Sequence, residues 1–234
     1  MMQAMTESTL AAVNPPAVRH LVFLVDDHPL VREGLQKLIE FEGDMSVCGE
    51  AEDAGRAYER IEQAKPDVVI VDLSLKGSSG LDLIKRLPQL ERPPRALVLS
   101  MHDESHYAER ALRAGAVGYV MKRETSSNII TAIRHVLAGG IFVSEAISTK
   151  MAARSAEKGA HDARPPVDRL SDRELEVFLR IGQGQETRRI AEELHLSLKT
   201  IQTHCAHIKE KLDLENATAL MLAAVRWVEA GRPS

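Results

Sequence analysis

Residues 21–40 read LVFLVDDHPLVREGLQKLIE. Five apolar residues come first and two aspartates follow, and from Pro29 onward apolar residues recur at spacings of three and four. That pattern is typical of a buried strand followed by an amphipathic helix. The alternation continues to residue 143, with apolar runs at 21–25, 45–51, 67–72, 95–100 and 116–121 and helical patterns at 29–41, 54–64, 80–90, 105–114 and 125–138. Five such units predict an α/β domain built on a five-stranded, doubly wound parallel sheet with helices on both faces.

The rest of the chain has no strand pattern and predicts a second, smaller all-α domain. We expect a disordered tail over 1–19, the α/β domain over 20–143, a linker with a helix over 144–168, and a helix-turn-helix domain over 169–234. Helical patterns in the last part lie at 172–182, 186–194, 197–212 and 216–229. Only His195 and Leu196 separate the second of these from the third, and such a short turn between two helices is the helix-turn-helix signature.

Length and composition narrow the class of protein. At 234 residues with 44% hydrophobic and 27% charged residues, the chain fits two folded domains and excludes collagen-like and wholly disordered classes. Its apolar runs are far shorter than the ~18 residues that suggest a membrane span, and residues 1–19 lack the apolar core of a secretory signal. We therefore expect a cytoplasmic protein. The net charge is −4, so any binding to DNA must come from a local basic surface rather than from bulk charge.

Three carboxylates follow strands of the predicted sheet. Asp26 and Asp27 come directly after the first strand and Asp72 ends the third. In doubly wound sheets, ligands bind outside the carboxyl ends of the strands, and three converging carboxylates there favour a hard cation such as Mg²⁺. Ser100 ends the fourth strand and Lys122 follows the fifth. A cation, a hydroxyl and an ammonium beside a carboxylate suit phosphoryl transfer to one of the aspartates.

This part of the chain resembles the receiver domain of two-component response regulators. The matching segments are LVDDHPLVREGL (24–35), VVIVDLSLKGSSGLDLI (68–84), LVLSMHDE (97–104) and GAVGYVMK (115–122). The resemblance implies that a histidine kinase phosphorylates Asp72 and that Mg²⁺ binds Asp26, Asp27, Asp72 and the main-chain carbonyl of Ser74. It further implies the switch residues of the family, which here are Ser100, Lys122 and the rotating aromatic Tyr119.

Two residues of the receiver-like part lead to further predictions. Lys76 stands where the family usually has a proline, which predicts a less rigid and more basic loop after the phosphoacceptor. His102 lies two residues after Ser100, where the family tunes the access of water to the acyl phosphate. We therefore expect His102 to influence the rate of autodephosphorylation.

The third helix of the C-terminal part has one apolar face and one polar face. Ile201, Cys205, Ile208 and Leu212 share a stripe at helical spacing, and this stripe predicts a packed face. Ser197 suits the N-cap, where exposed helix amides bind a DNA phosphate. A recognition helix contacts bases in the major groove with its first turns. The predicted contacts to DNA on this helix are Ser197, Lys199, Thr200, Gln202, Thr203 and His207, and Arg188 and Arg189 of the preceding helix are predicted to contact the DNA backbone.

Residues 170–212 resemble the LuxR-type DNA-binding domain, and with the receiver the whole chain is similar to the NarL/FixJ class. The matches include Ser197, Lys199 and Thr200 at the start of the recognition helix and His204 within it. Ala206 departs from the class, whose members often have a basic residue at this position. The resemblance implies a transcription factor, not an enzyme, that binds double-stranded DNA as a homodimer. It also implies pairing through the last helix, in which one stripe contains Ala217, Leu220, Met221, Ala224 and Val228.

Two other functions fit these residues less well. A Mg²⁺ phosphatase that turns over through an aspartyl phosphate would need a second acid two residues after the nucleophile, and Ser74 stands there instead. A phosphorylation-independent regulator or protein-interaction module would have no use for the set of Asp26, Asp27, Asp72, Ser100 and Lys122.

Overall fold

The structure is a computed structural model that describes residues 19–75, 77–156 and 166–230. The predicted N-terminal tail up to residue 18, Lys76, and the linker from 157 to 165 lie outside the described residues. Among the described helices, none has the length and apolar character that a bilayer crossing requires.

The sheet has five parallel strands in the order β2-β1-β3-β6-β7. The strands are β1 (His20–Val25), β2 (Met45–Ala51), β3 (Val68–Val71), β6 (Arg95–Ser100) and β7 (Gly118–Met121). A second, two-stranded antiparallel ladder joins β4 (Ser74–Leu75) to β5 (Ser78–Ser79). The predicted five-stranded parallel sheet is confirmed, and the order places β1 and β3 side by side, as the convergence of their aspartates requires.

Alternate residues of the strands supply the two faces of the sheet. Val22, Leu24 and Ile70 pack on one face against α1 (Pro29–Phe41) and α5 (Ser126–Leu137). The other face is covered by α2 (Ala54–Ala64), α3 (Gly80–Arg86) and α4 (Glu104–Ala114). Because both faces are buried, the central strands β1 and β3 are apolar at nearly every position, which explains their continuous apolar runs in the sequence.

Gly80 allows the chain to pass close to the backbone of Asp72 at the end of β3. A Cβ at this position would lie 2.0 Å from the backbone oxygen of Asp72, which no side chain tolerates. Gly80 begins α3, and this helix is shorter than the predicted 80–90 because a 3₁₀ turn over Leu87–Gln89 replaces its last turn. Pro88 in that turn cannot donate the amide hydrogen bond that an α-helix needs.

The C-terminal part is helical, as predicted. A helix in the linker region, α6 (Glu145–Ala156), is followed by α7 (Asp172–Gly182), α8 (Thr187–Glu193), α9 (Leu198–Leu212) and α10 (Ala217–Ala230). Ser171 and Glu174 form the capping box that begins α7. Between α8 and α9, His195 adopts a left-handed backbone with a φ of 52°, which makes the tight turn.

The receiver contacts the DNA-binding domain mainly through α4 and α7. Arg110 Nε lies 3.3 Å from Asp172 Oδ1, and the Arg110 guanidinium also donates to the carbonyl of Leu170. Arg113 pairs with Asp168 at 2.9 Å, and Lys85 lies 3.4 Å from Asp172. The start of α7 therefore rests on basic side chains of the receiver.

Candidate functional site

The three predicted carboxylates lie together at the carboxyl edge of the sheet. Asp26 and Asp72 are each only 3% exposed, because they follow central strands that are buried on both faces. One ligand atom from each of Asp26, Asp27, His28 and Asp72 lies within 4.8 Å of the others. The structure thus brings together the acidic groups that lie 45 residues apart in the chain.

Lys122 lies between two of these carboxylates. Its Nζ is 2.6 Å from Asp26 Oδ2 and 2.6 Å from Asp72 Oδ2, and only 8% of its side chain is exposed. Burial alone would lower the pKa of Lys122, but the charges of Asp72 and Asp26 raise it above its usual value. Lys122 therefore carries a positive charge at neutral pH beside the predicted phosphoacceptor.

The pKa of the Asp72 carboxyl group is higher than that of an ordinary aspartate. Burial raises the pKa of Asp72 to about 6, helped by the nearby charge of Asp26 and opposed by Lys122. A divalent cation beside this carboxyl would favour the ionised, nucleophilic form for the same electrostatic reason.

Ser100 and Tyr119 sit next to the carboxylates on the neighbouring strands. Ser100 is fully buried at the end of β6, and its Oγ accepts a hydrogen bond from the amide of His102 at 3.2 Å. Tyr119 is 2% exposed and donates from its hydroxyl to the carbonyl of His102 at 2.9 Å. The ring of Tyr119, which the resemblance identifies as the rotating aromatic, therefore lies inward in this structure.

The acidic residues fit a Mg²⁺ ion. Mg²⁺ prefers oxygen ligands and binds proteins through one or two carboxylates while it keeps several waters. Asp26, Asp27 and Asp72 offer such oxygens within a few ångströms of one another. Ser74 follows in the same loop, with its amide 3.4 Å from Asp72 Oδ1.

His28 is a member of this cluster that the sequence analysis missed. Its Nδ1 lies 2.8 Å from Asp27 Oδ1 and 3.2 Å from Asp26 Oδ1. The sequence does contain a signal for its role, because His28 directly follows Asp26 and Asp27. His28 is also the N-cap residue of α1.

The predicted recognition helix presents the expected polar face. Ile201 and Ile208 are fully buried, Cys205 and Leu212 are partly buried beside them, and Lys199, Gln202 and Thr203 are exposed. Ser197 caps α9, since its Oγ accepts from the amide of Thr200 at 3.0 Å. The receiver does not cover these three reading side chains.

Several of the predicted DNA contacts have partners within the protein, and Thr203 Oγ1 donates to the carbonyl of Lys199 at 3.0 Å. His207 is exposed, but its Nδ1 lies 3.6 Å from the buried carboxylate of Glu174. Arg189 is exposed and pairs with Glu193 at 2.8 Å, whereas Arg188 is exposed on the same helix. Thr200 is half-buried, and its Oγ1 lies 2.7 Å from Ser197 Oγ, so it belongs to the helix cap. Arg188 is therefore better placed than Arg189 to meet a phosphate.

The face of α10 differs from our expectation. Leu220, Ala224 and Val228 pack into the core, but Met221 is 49% exposed together with Leu222. Residues three and four apart share a helix face, so Met221 lies beside the buried stripe rather than within it. The exposed surface of α10 is thus centred on Met221 and Leu222.

Comparisons with known proteins agree with this arrangement. Residues 22–134 match the family model of the response regulator receiver domain, and residues 168–224 match that of the bacterial regulatory proteins of the luxR family. The oxygen regulatory protein NreC of Staphylococcus haemolyticus (strain JCSC1435) is 34% identical over 209 residues, which cover 88% of this chain and 96% of that protein. NreC of Staphylococcus aureus (strain JH9) is 32% identical over the same length.

Two solved structures are similar to this chain. A LuxR-family two-component response regulator from Aurantimonas sp. SI85-9A1 is 38% identical, with a TM-score of 0.54, and the match covers 59% of this chain and 99% of that one. RcsB from Salmonella enterica serovar Typhimurium, bound to promoter P1flhDC in the presence of the phosphomimetic BeF₃⁻, is 28% identical with a TM-score of 0.53, over 88% of this chain and 99% of that one. The chain belongs to the response regulators of the NarL/FixJ class, which join a receiver domain to a LuxR-type DNA-binding domain.

Proposed function

We propose that a histidine kinase in the cytoplasm phosphorylates this response regulator on Asp72, and that the phosphate controls its binding to double-stranded DNA as a homodimer. The observation that carries the proposal is the position of Lys122, 2.6 Å from both Asp26 and Asp72 in a pocket of converging carboxylates. A buried ammonium between acids provides the charge that a phosphoryl group needs when it reaches Asp72.

In the transfer step, a carboxylate oxygen of Asp72 attacks the phosphorus of the phosphohistidine. The new P–O bond forms as the P–N bond to the kinase histidine breaks, and the imidazole leaves with its electron pair. Lys122 pairs with one phosphoryl oxygen, and the Ser100 hydroxyl, which accepts from the His102 amide, has its own proton available to donate to another. Mg²⁺, held by Asp26, Asp27, Asp72 and the Ser74 carbonyl, would neutralise the remaining phosphoryl charge.

In the DNA complex, the exposed start of α9 would enter the major groove. Gln202 is suited to a bidentate pair with adenine, and Lys199 and Thr203 lie beside it on the exposed face. RcsB is similar over 88% of this chain and was solved as dimers bound to DNA, which supports a dimer here. The exposed Met221 and Leu222 on α10 supply an apolar surface for such pairing.

The test is a DNA-binding titration with the full-length chain before and after treatment with a small-molecule phosphodonor and Mg²⁺. The operator is first selected from random duplexes. We expect the phosphodonor to tighten binding by about 5- to 150-fold, the usual range for coupled sites, in wild type and not in Asp72→Asn. Equal tightening in Asp72→Asn would refute the role of Asp72. Affinity that does not change with salt would favour a protein-interaction module, since groove binding loses about 0.9 logarithmic units per phosphate contact for each tenfold rise in salt.

A further inference from the structure

His102 lies at the point where the phosphoacceptor pocket meets the DNA-binding domain. Its amide donates to Ser100 Oγ at 3.2 Å, and its carbonyl accepts from the Tyr119 hydroxyl at 2.9 Å. Its ring Nε2 lies 2.6 Å from Ser74 Oγ. The residue therefore contacts three of the side chains that we assign to the phosphorylation site and its switch.

The ring of His102 also faces the DNA-binding domain. Its Nε2 lies 3.9 Å from Oε1 of Glu176, a residue of α7 that is only 5% exposed. On the receiver side the ring stacks on Tyr107, with the ring centroids 4.5 Å apart. A cavity of about 300 Å³ between the domains is lined by His102, Tyr107 and Glu176, and also by Leu196 and His204 from the region of α9.

Glu176 is held in place within its own domain. Arg173 NH1 donates to Glu176 Oε2 at 2.6 Å, and Arg180 NH2 donates to Oε1 at 3.4 Å. The carboxylate of Glu176 is therefore held in one position beside the ring of His102. Nε2 of His102 therefore lies near both Ser74 Oγ, at 2.6 Å, and the fixed carboxylate of Glu176, at 3.9 Å.

The bond between His102 and Ser74 lies beside the phosphoacceptor pocket. Ser74 is two residues after Asp72 and His102 is two residues after Ser100, so the two side chains approach from neighbouring strands β3 and β6. Asp72 lies below them and is only 3% exposed. His102 thus lies at the position that we expected to tune the access of water to the acyl phosphate, and it is bonded to a residue of the phosphoacceptor loop.

We propose that Glu176 is a positioning residue for His102, and that the DNA-binding domain thereby sets the lifetime of the phosphate on Asp72. While α7 rests on the receiver, Glu176 keeps the ring bonded to Ser74 and hydrolysis is slow. When α7 moves away, the ring is released and water reaches the phosphorus. Water oxygen then bonds to phosphorus, the P–O bond to Asp72 breaks, Asp72 leaves as a carboxylate, and dihydrogen phosphate takes both water protons. This inference rests on the proposed phosphorylation of Asp72.

The test measures the half-life of the phosphate on the full-length chain after labelling with a small-molecule phosphodonor and removal of the donor. We expect Glu176→Gln to shorten the half-life by about fivefold, the lower end of the range for coupled sites. The matched control is Glu192→Gln, which removes the same charge from an exposed position on α8 and should leave the half-life unchanged. The same pair of substitutions is then made in a His102→Ala background, where Glu176→Gln should have no further effect.

A second measurement follows the ring itself. The ¹⁵N chemical shifts of the His102 imidazole report the hydrogen bonding of Nε2, and we expect Glu176→Gln to change them. Ser74→Ala removes the hydroxyl partner from the other side, keeps the main-chain carbonyl, and should shorten the half-life to the same extent.

The outcomes of these measurements distinguish a failure of this inference from a failure of the proposed function. Equal half-lives for Glu176→Gln and Glu192→Gln would overturn the inference, and so would an equal shortening in both His102 backgrounds, which would indicate a general loosening of the fold. Failure of the wild-type chain to take up phosphate would instead refute the proposed function. An unchanged imidazole spectrum in Glu176→Gln would separately overturn the positioning role, because that spectrum needs no phosphate.

Discussion

Lys122 balances the charge of the acidic pocket. Its ammonium contacts both Asp26 and Asp72, and all three side chains are at least 90% buried. Buried charges cost several kcal/mol each unless they are paired. The pocket therefore depends on Lys122 for stability as well as for its proposed chemistry.

Replacing Lys122 should destabilise the receiver and make its stability more dependent on Mg²⁺. We expect Lys122→Met to lower the free energy of unfolding by about 3 to 5 kcal/mol in the absence of metal, the usual cost of leaving a buried charge unpaired. Urea denaturation followed by circular dichroism measures this, with Lys37→Met on the exposed face of α1 as the control. Saturating Mg²⁺ should restore part of the loss. A variant as stable as the control would show that Lys122 does not neutralise the pocket.

Glu174 links the start of α7 to the end of α9. Its Oε2 accepts from the amide of Ser171 at 2.7 Å and from Lys211 Nζ at 2.6 Å. Burial alone would raise the pKa of Glu174, but the hydrogen bonds from Lys211 and Ser171 lower it below the usual value of 4.5. A carboxylate whose pKa is lowered by folding stabilises the folded state only while it is ionised.

The DNA-binding domain should therefore lose stability as the pH falls. The contribution of Glu174 is complete above its unfolded pKa, near 4.5, and is lost as the pH decreases through the lower folded pKa. Thermal unfolding between pH 7 and pH 3 should show a shallower decline in Tm for Glu174→Gln than for wild type. Glu210→Gln, on the exposed face of α9, should follow the wild-type curve. Parallel curves for Glu174→Gln and wild type would contradict the assignment.

Within the helices of the receiver, substitution of alanine for glycine should have opposite effects on the free energy of unfolding at two positions. A Cβ at Gly80 would lie 2.0 Å from the Asp72 backbone oxygen, whereas Gly34, exposed within α1, has nothing within 4 Å. We expect Gly80→Ala to lower the free energy of unfolding by about 1 to 3 kcal/mol, as overpacking does. Gly34→Ala should raise it by about 0.5 to 1 kcal/mol, because alanine loses less entropy in a helix. Denaturant unfolding checks both, and a neutral Gly80→Ala would mean that α3 shifts away from the loop at no cost.

The sequence predicts the elements well, because their signals are local. The sequence of strands and helices along the chain follows from apolar runs, helical spacing and the capping box of Ser171. The same signals place the aspartates at strand ends. The short ladder of β4 with β5 was missed, since two-residue strands leave no periodic pattern. The exposure of Met221 was also missed, because a stripe of apolar residues does not show which edge of the helix the core reaches.

Contacts between the domains lie beyond sequence reasoning of this kind. His102 and Glu176 are 74 positions apart and belong to different domains, and no spacing rule connects them. The pairing of Arg189 with Glu193 did have a local signal, because an acid four residues after an arginine on a helix is a neighbour. Arg188 also has an acid four residues on, Glu192, so this signal does not separate the two arginines.

At the scale of the whole molecule, charge holds the two domains together. Asp172 contacts Arg110 at 3.3 Å, and their side chains are 13% and 15% exposed. Such a pair is costly to break, because the remaining charge loses its partner in a partly buried place. The closed arrangement also leaves Lys199, Gln202 and Thr203 exposed, so the contact does not cover the reading face of α9.

Removing Asp172 should open the molecule. We expect Asp172→Ala to increase the radius of gyration of the full-length chain, because Arg110 and Lys85 lose their shared partner on α7. Small-angle X-ray scattering measures the change, with Glu192→Ala as the control. A scattering curve identical to that of wild type would show that the ion pairs do not hold the domains closed.

The central claim is that converging acids and a divalent cation make Asp72 able to carry phosphate. The most direct measurement is peptide mapping by mass spectrometry after treatment of the intact chain with a small-molecule phosphodonor, with and without Mg²⁺. The account predicts one acid-labile phosphoryl group on the peptide that contains Asp72, formed only with Mg²⁺ and absent from Asp72→Asn. Phosphate on another residue, or equal labelling after the metal is chelated, would contradict it.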